Sequence, residues 1–565
     1  MNRVTRQLHV LALLALTALP ARAQQAHDTL GLRPAFRRID DFVTEHMRRE
    51  GTPGLALALV DRAGMITVRT YGYADLDRRV PVGPRTRFEI GSISKSFTTI
   101  ALMQLADAGK FDPQAPVSRY LPWFTPKTRW RPLTTHDLLT HTSGLPRDRD
   151  DIPSSLAQAY MARERTLGSP PGKYWAYSNI GYQVVGAVLG QIEGGKRYAS
   201  IIRDRILAPL GMDETEAEFT AATRPSLAVG YQPLFDDRPP RRSDPLVVAP
   251  WGDYGSGDGA LVSTAPDMAK YLTMLLNRGR GPKGVVLSEA RLATMLQPFA
   301  LTEPGGPHYG YAMFTDELDG KPVFLHSGGM LGYTSMLLGE PSLGIGVVAF
   351  VNGPGSPGAV ARFALRTLGA AMRGDSLPEV PVDDRFVTPH AARYAGRYQS
   401  PEGDSLVFEA AGDSLYVLVH GSRVLLEPQG GDAFLGPREQ FPLFPLSFTG
   451  DSTGMREVAY GGRWYAGERY NGPRTFPAPE AWKSYVGHYR IMQPWEPTFR
   501  IVLRKGTLWC VYPGGNEEVL TPLPGGEFRV GDPDSAERLR FTNVVNGQAL
   551  TATFSGMAYY RDFVE

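Results

Sequence analysis

Three short constellations in this 565-residue chain carry residue types suited to nucleophilic chemistry. The first is Ser92-Ile-Ser-Lys95, opening a segment with helical character that runs from Ser92 to about Ala108 and stops at Gly109. Residues i and i+3 share a helix face, so the Lys95 amine can lie beside the Ser92 hydroxyl. A serine hydroxyl attacks a carbonyl only when a neighbouring base takes its proton, and a desolvated lysine near other cations can be that base. The helix start adds free N–H groups and positive potential where an oxyanion would develop. The second constellation is Tyr177-Ser-Asn179, set on a loop by Pro170-Pro-Gly172. Tyr177 can relay a proton and Asn179 can hydrogen-bond an amide. The third, His326-Ser-Gly328-Gly329, follows an apolar run that reads as a strand. Glycine there admits a substrate backbone to a sheet edge, and a backbone N–H can complete an oxyanion hole. Taken singly, these are a helix start, a core tyrosine and a turn. Their order along one chain gives them meaning.

Other chemistries lack their parts. Ten histidines contain no His-Glu-x-x-His pair, so no metal is expected, and His136 and His141 read as structural. Gly255-Ser-Gly257-Asp-Gly259 has the wrong spacing for a dinucleotide loop, and no phosphate-binding Gly-Lys-Ser/Thr loop exists; no cofactor is expected. Gly450-Asp-Ser452-Thr-Gly454 matches a nucleophile elbow in letters, but Met455–Tyr460 continues as an alternating strand, so a hairpin turn is expected. The single cysteine, Cys510, can form no internal disulfide. A formal charge of +2 gives no electrostatic reason for nucleic acid or an anionic membrane as partner. The partner expected is a small molecule or short peptide, and the oligomeric state is not legible.

The positioning elements follow. Met1–Ala23 has Arg3 and Arg6, an apolar run to about Leu19, and Ala21-Arg-Ala23, the pattern of a secretory signal peptide. Export to the periplasm or medium is therefore expected, with a mature charge of −1 once Arg3, Arg6 and Arg22 are lost. No other apolar run approaches the roughly 18 residues of a membrane span. From 32 to 373, helical and strand patterns alternate: a helix over Arg37–Arg49, then strands Gly54–Val60 and Ile66–Tyr73 around an Asp61–Gly64 turn. A Pro- and Asp-rich linker covers 374–391. Beyond it the helical period vanishes and a repeat begins. Tyr394-Ala-Gly-Arg-Tyr398 matches Tyr485-Val-Gly-His-Tyr489, Leu415 matches Leu508, Val417 matches Cys510, and Phe448 matches Phe541. Two copies of one helix-free β-domain, 392–475 and 480–565, are expected, each with seven or eight short strands closed into a small barrel.

The three constellations, in this order, resemble the signature of the penicillin-recognising serine hydrolases: class C β-lactamases and their esterase, DD-peptidase and D-aminopeptidase relatives. Leu138-Leu-Thr-His141-Thr-Ser-Gly144, Gly257-Asp-Gly259 and Tyr309-Gly-Tyr311 extend the likeness across about residues 35 to 370. The resemblance implies an α+β fold, an antiparallel sheet flanked by helices with a helical subdomain, here followed by two lipocalin-like β-barrels. It also implies Ser92 as acylated nucleophile, Lys95 and Tyr177 as proton carriers, Asn179 and Gly328 at the substrate, and the Ser92 and Gly329 amides as oxyanion hole. His326 stands where β-lactamases have lysine. A neutral imidazole gives weak purchase on a substrate carboxylate. An esterase, amidase or aminopeptidase, with D-amino-acid substrates favoured, is therefore expected before a β-lactamase or DD-carboxypeptidase. A non-catalytic envelope binding protein on the same fold is the rival class.

Overall fold

The computed structural model describes residues 30–146, 154–381, 385–452 and 454–563. The signal-peptide stretch lies outside them. Helix α1 (Arg33–Glu50) starts four residues earlier than the periodicity suggests, because Pro34 occupies its first turn, where no intrahelical N–H bond is needed. It ends at Gly51, whose φ of 67° is the left-handed conformation glycine adopts freely, and the Gly51 N–H caps the Met47 carbonyl.

The expected hairpin is present as β1 (Gly54–Asp61) and β2 (Gly64–Asp75). Asp61 Oδ1 accepts the Ala63 and Gly64 N–H groups at 2.7 and 3.2 Å and pins the turn. Four later strands complete the body of the sheet: β3 (Phe314–Leu318), β4 (Lys321–Met330), β5 (Tyr333–Glu340) and β6 (Ile345–Val351). The antiparallel order is Ala300–Leu301, His308–Tyr309, β3, β4, β5, β6, β1, β2, Val80–Pro81.

Central β1 is buried on both faces, and its alternation divides the core. Leu55, Leu57 and Leu59 face a cluster with α1 and α5 (Pro357–Arg373). Ala56, Ala58 and Val60 face the other way, toward α2 (Ser94–Asp107), α3 (Asn179–Ile192) and α4 (Ala265–Leu276). Each fully buried leucine contributes about 1.5–3 kcal/mol. The site therefore rests on a helix with core on nearly every side.

The sequence repeat becomes two β-units. The second is a closed eight-stranded antiparallel barrel. The first is a nine-stranded sheet, nearly closed, with edge strands Ser422–Leu425 and Glu427–Gly430 consecutive in the chain. The repeat positions are equivalent in space. Tyr398 donates its hydroxyl to the Tyr394 carbonyl at 3.1 Å, as Tyr489 does to Tyr485 at 2.8 Å. Leu415 and Leu508 are buried core, as are Val417 and Cys510. The units are not wholly helix-free: a 3-10 turn precedes each, Ala391–Arg393 and Glu480–Tyr485, where a tyrosine packs against the core. Strands Leu446–Asp451 and Gly454–Tyr460 pair antiparallel, so the Gly450 motif, whose Thr453 lies outside the described residues, belongs to a hairpin and not a nucleophile elbow. Among the described residues no helix is long and apolar enough to cross a membrane.

Candidate active site

Ser92 lies in a 3-10 turn, Gly91–Ile93, so α2 begins two residues later than expected. The reason is local. Gly91 has φ +51°, and a Cβ there would sit 2.7 Å from the Gly329 backbone. Strand β4 thus lies directly against the turn that carries the serine. The β4–β3 ladder ends at Leu325, so from His326 onward that edge of β4 has no strand partner among the described residues. Gly328 serves this close approach: a Cβ there would meet the Ile90 carbonyl oxygen at 2.0 Å. It is a packing glycine and does not line the cavity, whereas Gly329 does.

The serine opens onto a cavity of about 670 Å³ lined by Tyr177, Asn179, His326 and Gly329, together with Trp495 from the second barrel. Lys95 is fully buried beneath it. Its Nζ donates to Ser92 Oγ at 2.9 Å, to Asn179 Oδ1 at 2.8 Å and to the Asp258 carbonyl at 2.8 Å. The amine also sits over the rings of Tyr177 (5.0 Å) and Tyr182 (5.6 Å). Among the described residues no hydrogen bond joins the Tyr177 hydroxyl to Ser92 or Lys95; its ring packs against His141, centroids 4.3 Å apart and planes tilted by 39°. Six of the seven expected residues therefore meet at one cavity or directly under it.

Two residues whose roles the sequence did not reveal tie the second and third constellations together. The Ser178 N–H donates to His141 Nδ1 at 3.0 Å. That leaves His141 Nε2–H to donate to the Tyr309 hydroxyl at 3.2 Å. Tyr309 in turn donates to His326 Nε2 at 3.1 Å, while His326 Nδ1–H donates to the Ser327 carbonyl at 2.6 Å. Backbone groups at both ends fix the direction of the whole chain and the tautomer of both rings. His141 holds a φ of +57°, an uncommon conformation for a side-chain-bearing residue, to enter this arrangement.

The electrostatics agree. Burial, and secondarily the Lys95 charge, push His326 down to about 3; the same causes hold His141 well below the usual imidazole range. Both rings are neutral at pH 7. Glu89, three residues before Ser92, is pushed up to about 8 by burial alone and is largely protonated there. Among the described residues no cluster of His, Cys, Asp or Glu could hold a metal ion.

Known proteins place this architecture. A family model described as Beta-lactamase matches residues 39–371. Protein flp of Staphylococcus aureus (strain MW2) is 26% identical over 328 residues, covering 56% of this chain and 63% of flp. The unguisins hydrolase ungD' of Aspergillus campestris (strain IBT 28561) is 32% identical over 342 residues, covering 56% of this chain and 62% of that protein. The chain thus spans less than two thirds of the length of these relatives. In structure, the chain is similar to an octameric penicillin-binding protein homologue from Pyrococcus abyssi, with TM-score 0.57, 24% identity, and 76% of this chain and 99% of that one covered. That likeness concerns the fold. With its model matched across more than half of its residues, the chain belongs to the beta-lactamase family.

Proposed function

We propose that this protein is an exported serine hydrolase that works through an acyl-enzyme on Ser92, cleaving small amides or esters, D-amino-acid peptides and esters above all. The observation that carries this reading is the 2.9 Å contact between Lys95 Nζ and Ser92 Oγ at the floor of an open cavity. To act as base, Lys95 first gives up to solvent the proton it directs at Ser92; it then keeps two N–H donors for Asn179 and the Asp258 carbonyl and turns its lone pair to the serine proton. Ser92 Oγ then attacks the substrate carbonyl as its proton passes to Lys95. The Ser92 and Gly329 N–H groups stabilise the resulting oxyanion. Collapse expels the amine or alcohol, protonated by Lys95 directly or through Tyr177. Water, deprotonated in its turn, releases the acid and restores Ser92.

Neutral His326 supports the substrate assignment. It offers no fixed cation to a β-lactam or C-terminal carboxylate, so those substrates gain little here. The barrel residue Trp495 at the cavity supports a part for the second barrel in selecting the substrate. The relative named a hydrolase fits catalysis better than a purely binding role. Removal of residues 1–23 before the protein works belongs to the same proposal, with N-terminal sequencing expected to begin at Gln24.

The test is a panel of p-nitrophenyl acetate, D-alanine p-nitroanilide, a D-Ala-D-Ala peptide and a chromogenic cephalosporin, run on wild type and Ser92→Ala. Turnover of the ester or D-anilide, lost in the variant, is expected. Cephalosporin hydrolysis far above the ester rate would overturn the role given to His326.

A further inference from the structure

Beyond the Ser92 cavity lies a second, larger concavity, a cleft of about 1090 Å³ between the Gln232–Trp251 segment and the second barrel. We infer that this cleft binds the part of the substrate remote from the scissile bond, and that this part is an extended, uncharged peptide-like chain with apolar or aromatic side groups. The inference rests on the Ser92 hydrolase reading and adds the substrate class.

Continuity is the first argument. Gln232, Pro494 and Trp495 line both the cleft and the Ser92 cavity, so a chain held at Ser92 passes into the cleft without leaving the protein surface. A drug-sized ligand is satisfied by roughly 300–1,000 Å³. The cleft exceeds that before the Ser92 cavity is counted, which suits a substrate of several residues.

Wall chemistry is the second. Phe235, Trp251, Trp495 and Tyr512 present aromatic surface, and Met492 stands 97% exposed at the rim. An apolar side chain so placed gains from a ligand that covers it. Between the rings come prolines, such as Pro250 and Pro494, which have carbonyl acceptors but no N–H donors. Aromatic and proline surfaces are those on which extended peptides dock.

Charge is the third. Asp236, Glu496 and Glu518 line the cleft against two cations, Arg238 and Arg490. Both guanidiniums are committed: Arg490 to Asp236 through two 2.9 Å bonds, Arg238 to Asp237 at 2.7 Å. The Arg490–Asp236 pair, with Arg500–Asp237 at 2.8 Å, also ties barrel to catalytic domain and holds the two walls at a fixed spacing. The cleft therefore disfavours anions, and neutral His326 offers them no cation at the other end of the path.

The experiment titrates full-length Ser92→Ala with three probes, followed by intrinsic tryptophan fluorescence: an acetylated neutral tetrapeptide amide containing Phe and Pro, its counterpart with two Asp residues and a free carboxylate, and dodecanoate. The neutral peptide should saturate and bind at least ten times more tightly than either of the others. Trp251→Ala and Met492→Asp should each weaken it about tenfold, with melting temperatures recorded; Met492 is too exposed for its substitution to unfold the protein. Absence of saturable binding, tighter binding of dodecanoate or the anionic peptide, or indifference to both substitutions would overturn the inference. Turnover of p-nitrophenyl acetate by the wild type is measured alongside. Loss of that activity with peptide binding intact would fault the Ser92 reading and leave the cleft standing.

Discussion

The two β-units repeat one core pattern but differ in closure, nine strands in an open sheet against eight in a closed barrel, and in the loop after their first strand. In the first, strands β7 (Gly396–Gln399) and β8 (Ser405–Ala411) are joined by Ser400-Pro-Glu-Gly-Asp404, closed by the Ser400 N–H on the Asp404 carbonyl at 2.8 Å. In the second, β9 (Gly487–Arg490) and β10 (Thr498–Arg504) are joined by Ile491-Met-Gln-Pro-Trp-Glu-Pro497, closed by the Ile491 N–H on the Pro497 carbonyl at 2.9 Å. The short polar loop lines a recess against the other barrel. The longer loop, rich in apolar and proline residues, lines the cavity that holds Ser92. Buried positions kept the fold in both copies, while a loop on a rigid barrel was free to take on a task.

The catalytic domain sets the scale against which that difference is measured. Lys95→Met removes the amine that touches Ser92 and should lower kcat on any good substrate by about a thousandfold. Steady-state kinetics check it; a loss under tenfold would shift the base role to Tyr177.

Next comes Tyr309→Phe. It removes both the O–H donated to His326 Nε2 and the oxygen that accepts from His141, with Lys95, Tyr177 and Phe314 remaining around the His326 ring. A donor on the lone pair favours neutral imidazole, so its loss moves His326 upward from about 3. A fall of about tenfold in kcat/KM is expected, from a displaced ring. The acid limb of the pH profile should also move to higher pH. An unshifted limb would reduce Tyr309 to packing.

The loop comparison itself is broken by replacing 491–497 with Ser-Pro-Glu-Gly-Asp, which makes the second barrel imitate the first. Selectivity between bulky and small acyl groups should collapse by about tenfold. Replacing 400–404 with Gly and Ser residues should change kcat/KM by less than about twofold. Equal effects from the two loops would remove the functional asymmetry.

The smallest effect concerns stability. Glu89 is raised to about 8 when folded and titrates near 4.5 when unfolded. Between those values the folded state binds the extra proton, so stability declines as pH rises through that window. His326 acts oppositely: lowered to about 3 when folded, it lets the unfolded chain bind the extra proton below about 6.5, and stability falls on acidification. Glu89→Gln should flatten the alkaline decline and raise Tm by a few degrees at pH 8, read by thermal melts. An unchanged alkaline slope would show that another group governs it.

Much of this was legible in the residues. Ser92-x-x-Lys95 and the alternation of β1 each follow from a short-range rule, and both are where the spacing put them. The tyrosines and phenylalanines of the repeat announced two copies of one β-unit. Gly328 was misplaced because sequence shows a glycine but not which backbone crowds it. The His141–Tyr309–His326 chain was hidden, since its members are 17 to 185 residues apart and meet only through tertiary packing. Trp495 was hidden for the same reason. Its one visible signal was the proline-bracketed loop that the first copy lacks.

The central claim is that Ser92 is a nucleophile activated by Lys95. A fluorophosphonate probe that labels the folded, full-length protein, followed by peptide mass spectrometry, tests it without knowledge of the substrate. Label should be found on Ser92, and should vanish in Ser92→Ala and fall sharply in Lys95→Met. Label on a different serine, or none on the intact protein, would contradict the account.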